Sequence, residues 1–392
     1  MSYQSFEFQF PTRIVFGPGE AGRAAVYAAQ FQPKKVMILT YADVLLPVVN
    51  KLQADLEEAG IAYVLYNRCE ANPKAEQIDK AAAFFLENGC DLALGVGGGS
   101  VIDSTKATAL LAANFTEGGI WPYVSGEAEA KNQPFPIMLV VTIASTGSEG
   151  NESFVITDNS NTQKLICNDP RVRPALSVCD PKLALTLPPR QTALGALDVF
   201  SHVLEQYLHA DPNVDASDEM SFGLLKTVYR WGPIAVKDGG NMDARSNLLW
   251  CAILAMSRVL GVGHEENWLS HMLEHAVSAK YNLPHAAGMA AIFPAYLKWM
   301  EEKDLSPEKR ARLAKLLGGK TAWEGLAAFQ KELGLPVSLP EALGCPVSGE
   351  VIREMAVNSL PWGAMECAGY GEFTQDDAAA VFAIASSLKA EN

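Results

Sequence analysis

The chain changes texture at one place, and that change limits its possible folds more than any other feature. Up to Pro188–Pro189, short apolar runs alternate with helix-patterned segments. Beyond it, helical periodicity alone continues to the end. Lys35–Thr40, Ile61–Tyr66 and Asp91–Val96 read as strands, with Pro136–Ile143 a further buried one. Val48–Glu58 and Ala75–Glu87 fit helices between them. Such alternation predicts a parallel sheet covered by helices on both faces. Shorter β-rich pieces, SFVITD, KLICND and ALSVCD, fall between about Phe154 and Asp180 and are expected as hairpins or sheet extensions. After the prolines, Leu197–His209, Met220–Tyr229, Ser246–Val259, Trp268–Lys280 and Gln375–Lys389 suit amphipathic or buried helices. The expectation is an α/β domain over residues 1–188 and an all-helical domain over 189–392. A chain of 392 residues also exceeds what one core usually serves.

Charge and cysteine usage exclude several functions. With 45 acidic against 31 basic residues, the formal net charge is −14, which argues against a nucleic-acid partner. No apolar run reaches the ~18 residues of a membrane span, so no membrane partner is expected. The start, MSYQSFEFQFPTRIVFG, lacks the basic-then-apolar pattern of a secretory signal. Seven scattered cysteines without C-x-x-C spacing fit free thiols in a reducing cytosol, and a cytoplasmic location is expected.

Two segments suit a dinucleotide. Gly95-Val96-Gly97-Gly98-Gly99-Ser100 follows a strand and opens a helix at Val101–Ala112. Glycines let a phosphate approach the backbone, and the helix start offers free N–H groups and a positive dipole end. Ser100 stands where the last glycine of the usual dinucleotide fingerprint would be, and no Gly-Lys-Ser/Thr follows, so a tight turn without ligand explains this segment equally. Asp103, in the first helical turn, either complements the dipole or meets the cofactor's ribose or amide edge. The second segment, Thr142 to Glu149, brings small hydroxyl residues after another strand; helix capping is its plainer explanation.

All six histidines fall in the helical half. Asp198 and His202 are i, i+4 and share a helix face; so do His271 and His275, and His285 follows Pro284. Three imidazoles and a carboxylate converging from two helices and a turn suit a divalent transition metal. Asp198 lies between Leu197 and Val199–Phe200, where a carboxylate is costly to bury unless paired or metal-bound. His209 and His264 are expected in the core or on the surface. A competing pattern is His271-Met-Leu-Glu-His275, which fits the H-x-x-E-H of inverted zinc peptidases but leaves the α/β half without a role.

Taken together, GGGSVIDSTKA (97–107), TIASTGSEGN (142–151), DPKLALTLPPRQTALGALDVFSHVLEQY (180–207) and HMLEHAVSAKYNLPHAAGMAAIFPAYLKW (271–299) resemble the iron-containing (group III) alcohol dehydrogenases. The segment from Thr142 to Tyr207 and the ending LPWGAMECAGYGEFTQDD resemble the butanol dehydrogenase and aldehyde reductase branch. The resemblance implies a Rossmann-like dinucleotide domain, a helical metal domain in the dehydroquinate synthase-like architecture, and a cleft between them. It implies Asp198, His202, His271 and His285 as metal ligands, for Fe2+ or Zn2+, and His275 as a proton-moving residue near the nicotinamide. It places Gly97, Gly98, Gly99, Ser100 and Asp103 about the pyrophosphate, and Thr142, Thr146 and Ser148 in a second cofactor wall. A homodimer is implied as well. Two departures flank the ligands: Ala286-Ala287-Gly288 where His-Gly-x-Gly is commoner, and Ser145 for a more usual proline or alanine.

The expected reaction is hydride transfer between a nicotinamide and an alcohol or aldehyde. In the family, the residue after the first strand often selects the cofactor, and an Asp there favours NAD. Here Tyr41 takes that place, followed by Ala42 and Asp43. Tyr41 points to NADP(H) rather than NAD(H); Asp43 would point the other way if its loop bends inward. A polyol dehydrogenase and a non-catalytic nucleotide- and metal-binding protein are the alternatives.

Overall fold

The structure, a computed structural model of the chain, describes residues 5–42, 46–158, 160, 163–211, 213–266 and 268–388. Asp43 therefore lies outside the described residues. Two compact units divide the chain: Gln9–Leu187, and the residues from Pro188 onward together with those up to Phe8.

The first unit is built on strands β1 (Arg13–Phe16), β2 (Val36–Leu39), β3 (Tyr63–Tyr66), β4 (Leu92–Gly97), β5 (Ile137–Val141), β6 (Ser153–Asp158), β7 (Gln163–Asn168) and β8 (Leu176–Cys179). Its helices are α1 (Ala24–Ala29), α2 (Leu46–Glu58), α3 (Ala75–Glu87), α4 (Gly99–Ala113) and α5 (Trp121–Ser125). Six strands form one sheet in the order β1-β8-β5-β4-β2-β3, and every pairing is parallel. The four inner strands, VMIL, LALGVG, IMLVV and LSVC, are buried along their whole length, as expected of strands covered on both faces. On one face, Ile38, Leu94 and Val140 pack against Val49, Leu52 and Leu56 of α2. Each such side chain contributes roughly 1.5–3 kcal/mol by leaving water.

Two details depart from the sequence expectation. β1 is an additional edge strand, too short and too exposed to show a hydrophobic period. Of the three β-rich pieces, SFVITD and KLICN pair as a separate antiparallel hairpin, β6–β7, while LSVC enters the sheet between β1 and β5.

The second unit contains α6 (Pro189–Tyr207), α7 (Asp215–Lys237), α8 (Met242–Ala255), α9 (Leu269–Tyr281), α10 (His285–Glu302), α11 (Pro307–Leu317), α12 (Ala322–Glu332), α13 (Leu339–Leu343), α14 (Gly349–Ser359) and α15 (Gln375–Ser387). It is not purely helical: β9 (Ala364–Glu366) and β10 (Glu372–Thr374) form a small antiparallel hairpin before α15. At its centre lies α10, buried without a break from Ala286 to Leu297 and packed against α6, α9, α12 and α15. A helix apolar all round has no polar face to show in sequence. Pro189 opens α6 at a position where a missing N–H costs nothing. Between α9 and α10, Asn282 takes the left-handed conformation (φ 50°) that ends a helix, and Pro284 caps the next one. His285 is thus the first residue of α10, not part of a turn. No described helix is long and apolar enough to cross a membrane.

Candidate active site

Three helices of the second unit bring one carboxylate and three imidazoles together. Asp198 and His202 lie on α6, His271 on α9 and His285 at the start of α10, with one ligand atom of each within 4.8 Å of all the others. Asp198 Oδ1 stands 3.6 Å from His285 Nε2 and 4.0 Å from His202 Nε2. Two donors each ~2.1 Å from one ion span up to ~4.2 Å, so these separations suit a shared ion. The rings of His202 and His271 stack at 4.7 Å between centroids, and Trp268 meets His271 edge-on at 5.4 Å.

Two carboxylates hold these rings: Glu205, which the sequence reading did not single out, and Glu274, which it met only inside the peptidase pattern. Glu205, on α6 one turn beyond His202, accepts a hydrogen bond from His271 Nδ1 and another from the Ser270 backbone N–H at 2.6 Å. Glu274, on α9, pairs with His285 Nδ1 and accepts from Ser278 Oγ. Both glutamates are fully buried. With Nδ1 taken, the Nε2 atoms of His271 and His285 remain for the centre. His271 Nε2 is buried and makes no hydrogen bond among the described residues; the same is true of His202 Nδ1. The signal was present in sequence, since Glu205 follows Asp198 at i+7 and Glu274 follows His271 at i+3.

Electrostatics match a divalent cation. Burial pushes His202 down to about 3, so its imidazole is neutral, the form that ligates. At His271 burial opposes protonation, but the carboxylates of Glu205, Asp198 and Glu274 outweigh it and hold the group above its ordinary value. Three carboxylates converging on neutral or cation-seeking rings leave local negative charge for an ion to balance. The donor set therefore fits the metal that the sequence suggested. Imidazole and carboxylate donors suit iron or zinc among the divalent metals.

His275 is half-buried, with its ring 5.7 Å from that of His285. The peptidase pattern does not survive: the Glu274 carboxylate that would have to activate water is enclosed and committed to Ser278 and His285. A second histidine group, His209 with His264 and Asp211, is also compact. Its rings stack face to face at 3.7 Å and 12°, so their in-plane lone pairs lie in parallel planes and do not converge. The His264 nitrogens face the carbonyls of Glu265 and Leu260, and His209 Nε2 faces Asp218 and Lys309. Both belong to the core.

In the first unit, β2 continues to β3 on one side, whereas β4 and β5 lie on the other. The carboxyl ends of β2 and β4 therefore flank the point where the winding reverses, the usual place for a ligand in such sheets. Tyr41 follows the end of β2, and Gly97–Ser100 link β4 to α4. Burial pushes the Tyr41 phenol up to about 12, with Ser100 opposing the shift. No side chain caps α4, whose first N–H groups suit an anion.

The glycines have a further, internal reason. A Cβ on Gly97 would fall 2.5 Å from Val101 Cγ2, one on Gly98 2.5 Å from Ile143 Cγ2, and one on Gly99 2.5 Å from Thr146 Cγ2. The turn and the loop after β5 interlock only without side chains. Thr142 is buried, its N–H bonded to Gly97 O at 3.1 Å, and Thr146 is half-buried.

Asp103 and Ser148, expected near the cofactor, also have partners within the protein. Both are buried in an internal network. Ser148 Oγ donates to Asp103 Oδ1 at 3.0 Å, and Val155 N–H donates to Asp103 Oδ2 at 3.2 Å. The buried Lys106 ammonium donates to Ser148 O and Oγ, Asn151 O and Oδ1, and Ser153 O, at 2.6–3.0 Å. Burial lowers Lys106 to about 8 and raises Asp103 to about 6.

A switch-point turn suited to a dinucleotide and a helical group suited to a divalent metal point to a metal-dependent oxidoreductase. Residues 11–181 match the family model described as iron-containing alcohol dehydrogenase, and residues 192–386 match that of its C-terminal part. The chain belongs to the iron-containing alcohol dehydrogenase family, and it is an NAD(P)-dependent oxidoreductase. It is 32% identical to the probable NADH-dependent butanol dehydrogenase 2 of Bacillus subtilis, over 96% of this chain and 98% of that one. It is 33% identical to the NADPH-dependent aldehyde reductase YqhD of Escherichia coli, over 79% of this chain and 78% of that one. The crystal structure of NADH-dependent butanol dehydrogenase A from Thermotoga maritima superposes with a TM-score of 0.90 at 29% identity, covering 98% of this chain and 99% of that one.

Proposed function

We propose that the chain interconverts short primary, butanol-like alcohols and their aldehydes, using one divalent ion, Fe2+ or Zn2+, and NADP(H) in preference to NAD(H). The observation that carries this reading is the convergence of Asp198, His202, His271 and His285 within 4.8 Å. Those four residues hold the ion. A bound ion would supply Lewis-acid stabilisation of charge on the substrate oxygen, and a bound nicotinamide would supply the hydride chemistry. Uncapped N–H groups at Gly99 and Ser100 orient the pyrophosphate, Gly97 and Gly98 allow the close turn, and Thr142 and Thr146 make the second wall. His275, half-buried beside His285, carries the substrate oxygen's proton to solvent.

The cofactor preference rests on Tyr41. A phenol just after the end of β2 presents no carboxylate to repel a 2′-phosphate. The names of the relatives divide on this point, NADH for the Bacillus protein and NADPH for the Escherichia one. Assembly as a homodimer is supported by the family resemblance and is read by sedimentation.

The test is oxidation of NADPH, and separately NADH, by metal-reconstituted protein with butanal, beside a chelated control. Chelator-sensitive turnover, faster with NADPH, is the expected result. Absence of turnover with either cofactor, despite measured metal occupancy and a panel of aldehydes and polyols, would overturn the reading in favour of a binding protein.

A further inference from the structure

Around the four ligand side chains stands a second set of residues that the ligand assignment leaves without a role. Glu205 and Glu274 are fully buried, a costly state for a carboxylate unless its acceptors are used. Each spends one oxygen on the Nδ1 of a ligand histidine and the other on the helix that carries or precedes it. Glu205, from α6, holds His271 and the Ser270 N–H in the first turn of α9. Glu274, from α9, holds His285 at the start of α10 and Ser278 one turn along its own helix. The two carboxylates thus link α6 to α9 and α9 to α10, in the same order as the ligands themselves. Room for the second link comes from Gly288: a Cβ there would lie 2.4 Å from Glu274 Oε1.

Imidazole has two nitrogens, and only a ring whose proton sits on Nδ1 presents the Nε2 lone pair. A carboxylate on Nδ1 fixes that proton, sets the ring plane and makes Nε2 more basic. We propose that Glu205 and Glu274 are positioning residues of the metal centre, which lock His271 and His285 in the Nε2-ligating tautomer and so govern how tightly the ion is held. This rests on the metal-centre reading above and adds two residues to it. The two glutamates differ in what else they hold. The second oxygen of Glu274 accepts from a hydroxyl, which can rotate and accept from an amide instead. That of Glu205 accepts from a backbone N–H, which cannot.

The experiment is Zn2+ and Co2+ binding to the metal-stripped full chain, by competition with a chromophoric chelator, with no substrate or dinucleotide present. The Co2+ absorption spectrum reports ligand geometry, and circular dichroism shows that each variant is folded. Glu274→Ala is expected to bind about tenfold to a hundredfold more weakly with an altered Co2+ spectrum. Glu274→Gln, whose amide oxygen still accepts from Nδ1–H, is expected to recover near-wild-type affinity and spectrum, and Glu205→Gln to recover less. Wild-type affinity and spectrum in Glu274→Ala would overturn the proposal, as would Glu274→Gln binding no better than the alanine variant. Should Glu274→Ala not fold, the Gln variants decide: Glu205→Gln weaker than Glu274→Gln supports the proposal, and the reverse order overturns it. A wild-type chain that binds neither ion would instead remove the metal-centre reading on which the proposal stands.

Discussion

Two buried polar clusters, one in each unit, are built from similar ingredients and end differently. Around Lys106, the ammonium meets five oxygens from Ser148, Asn151 and Ser153, so the cluster uses its donors on itself. Around Asp198, carboxylates take the Nδ1 atoms of two histidines and leave donor atoms facing one another, with His271 Nε2 making no hydrogen bond among the described residues. Buried polar groups are normally satisfied, so leftover donors that converge are the mark of a ligand site. The first cluster fastens a loop; the second is arranged to receive an ion. Burial and charge alone would not have told them apart.

If that contrast holds, the two clusters respond differently to substitution. His271→Ala should remove bound metal and lower turnover by about a thousandfold, the equivalent of roughly 4 kcal/mol of transition-state stabilisation. Elemental analysis and steady-state rates check it, and a metal-free variant with full activity would break the assignment. Lys106→Met should cost about 3 kcal/mol of stability in denaturant unfolding, because Asp103 is left buried without its cation, while metal content per folded chain stays constant. Metal loss in proportion to the stability change would erase the distinction.

The pH prediction concerns Glu149, which is buried beside this loop with Oε1 making no hydrogen bond among the described residues. Burial raises it to about 7 from the ordinary 4.5. A raised carboxyl contributes stability that is complete below pH 4.5 and lost as the pH rises through 7. Glu149→Gln escapes that loss, so thermal melts should show the variant gaining on the wild type between pH 5 and 8, by about 2 kcal/mol at the upper end. Attraction to the Lys106 ammonium favours the Glu149 carboxylate and limits that gain. A pH-independent difference would mean that Glu149 is charged throughout. The smallest effect is expected at the rim, where Tyr41→Asp should move the NADH-to-NADPH rate ratio about tenfold towards NADH, roughly 1.4 kcal/mol. An unchanged ratio would mean that another residue selects the cofactor.

Sequence made some of this legible and hid the rest for physical reasons. Strands β2, β4 and β5 showed because inner parallel strands must be apolar on both faces. The grouping of Asp198, His202 and His271 showed because α6 and α9 carry these residues at spacings that share a helix face or follow one another closely. α10 stayed hidden because it is apolar on every side, and β1 because an edge strand of four residues carries no period. Glu205 and Glu274 were visible as letters, yet glutamates on helices are usually solvated, and Glu274 fell inside a pattern that belongs to peptidases. Asp103 lies on a helix buried from Val101 to Ala112, so no periodicity could say whether it faced a cofactor or the interior.

The turn between α9 and α10 has a consequence for how the four side chains keep their spacing. Asn282, Leu283 and Pro284 are all that separates the end of α9 from the start of α10, so the connector leaves little slack between the helix that carries His271 and the one that begins with His285. His285 can keep its place beside Asp198 and its bond to Glu274 only while that connector holds the two helix ends together. The three-residue connector therefore acts as a gauge of length. The spacing of the four side chains is thus kept by backbone between two helices as well as by the side chains that compose the group.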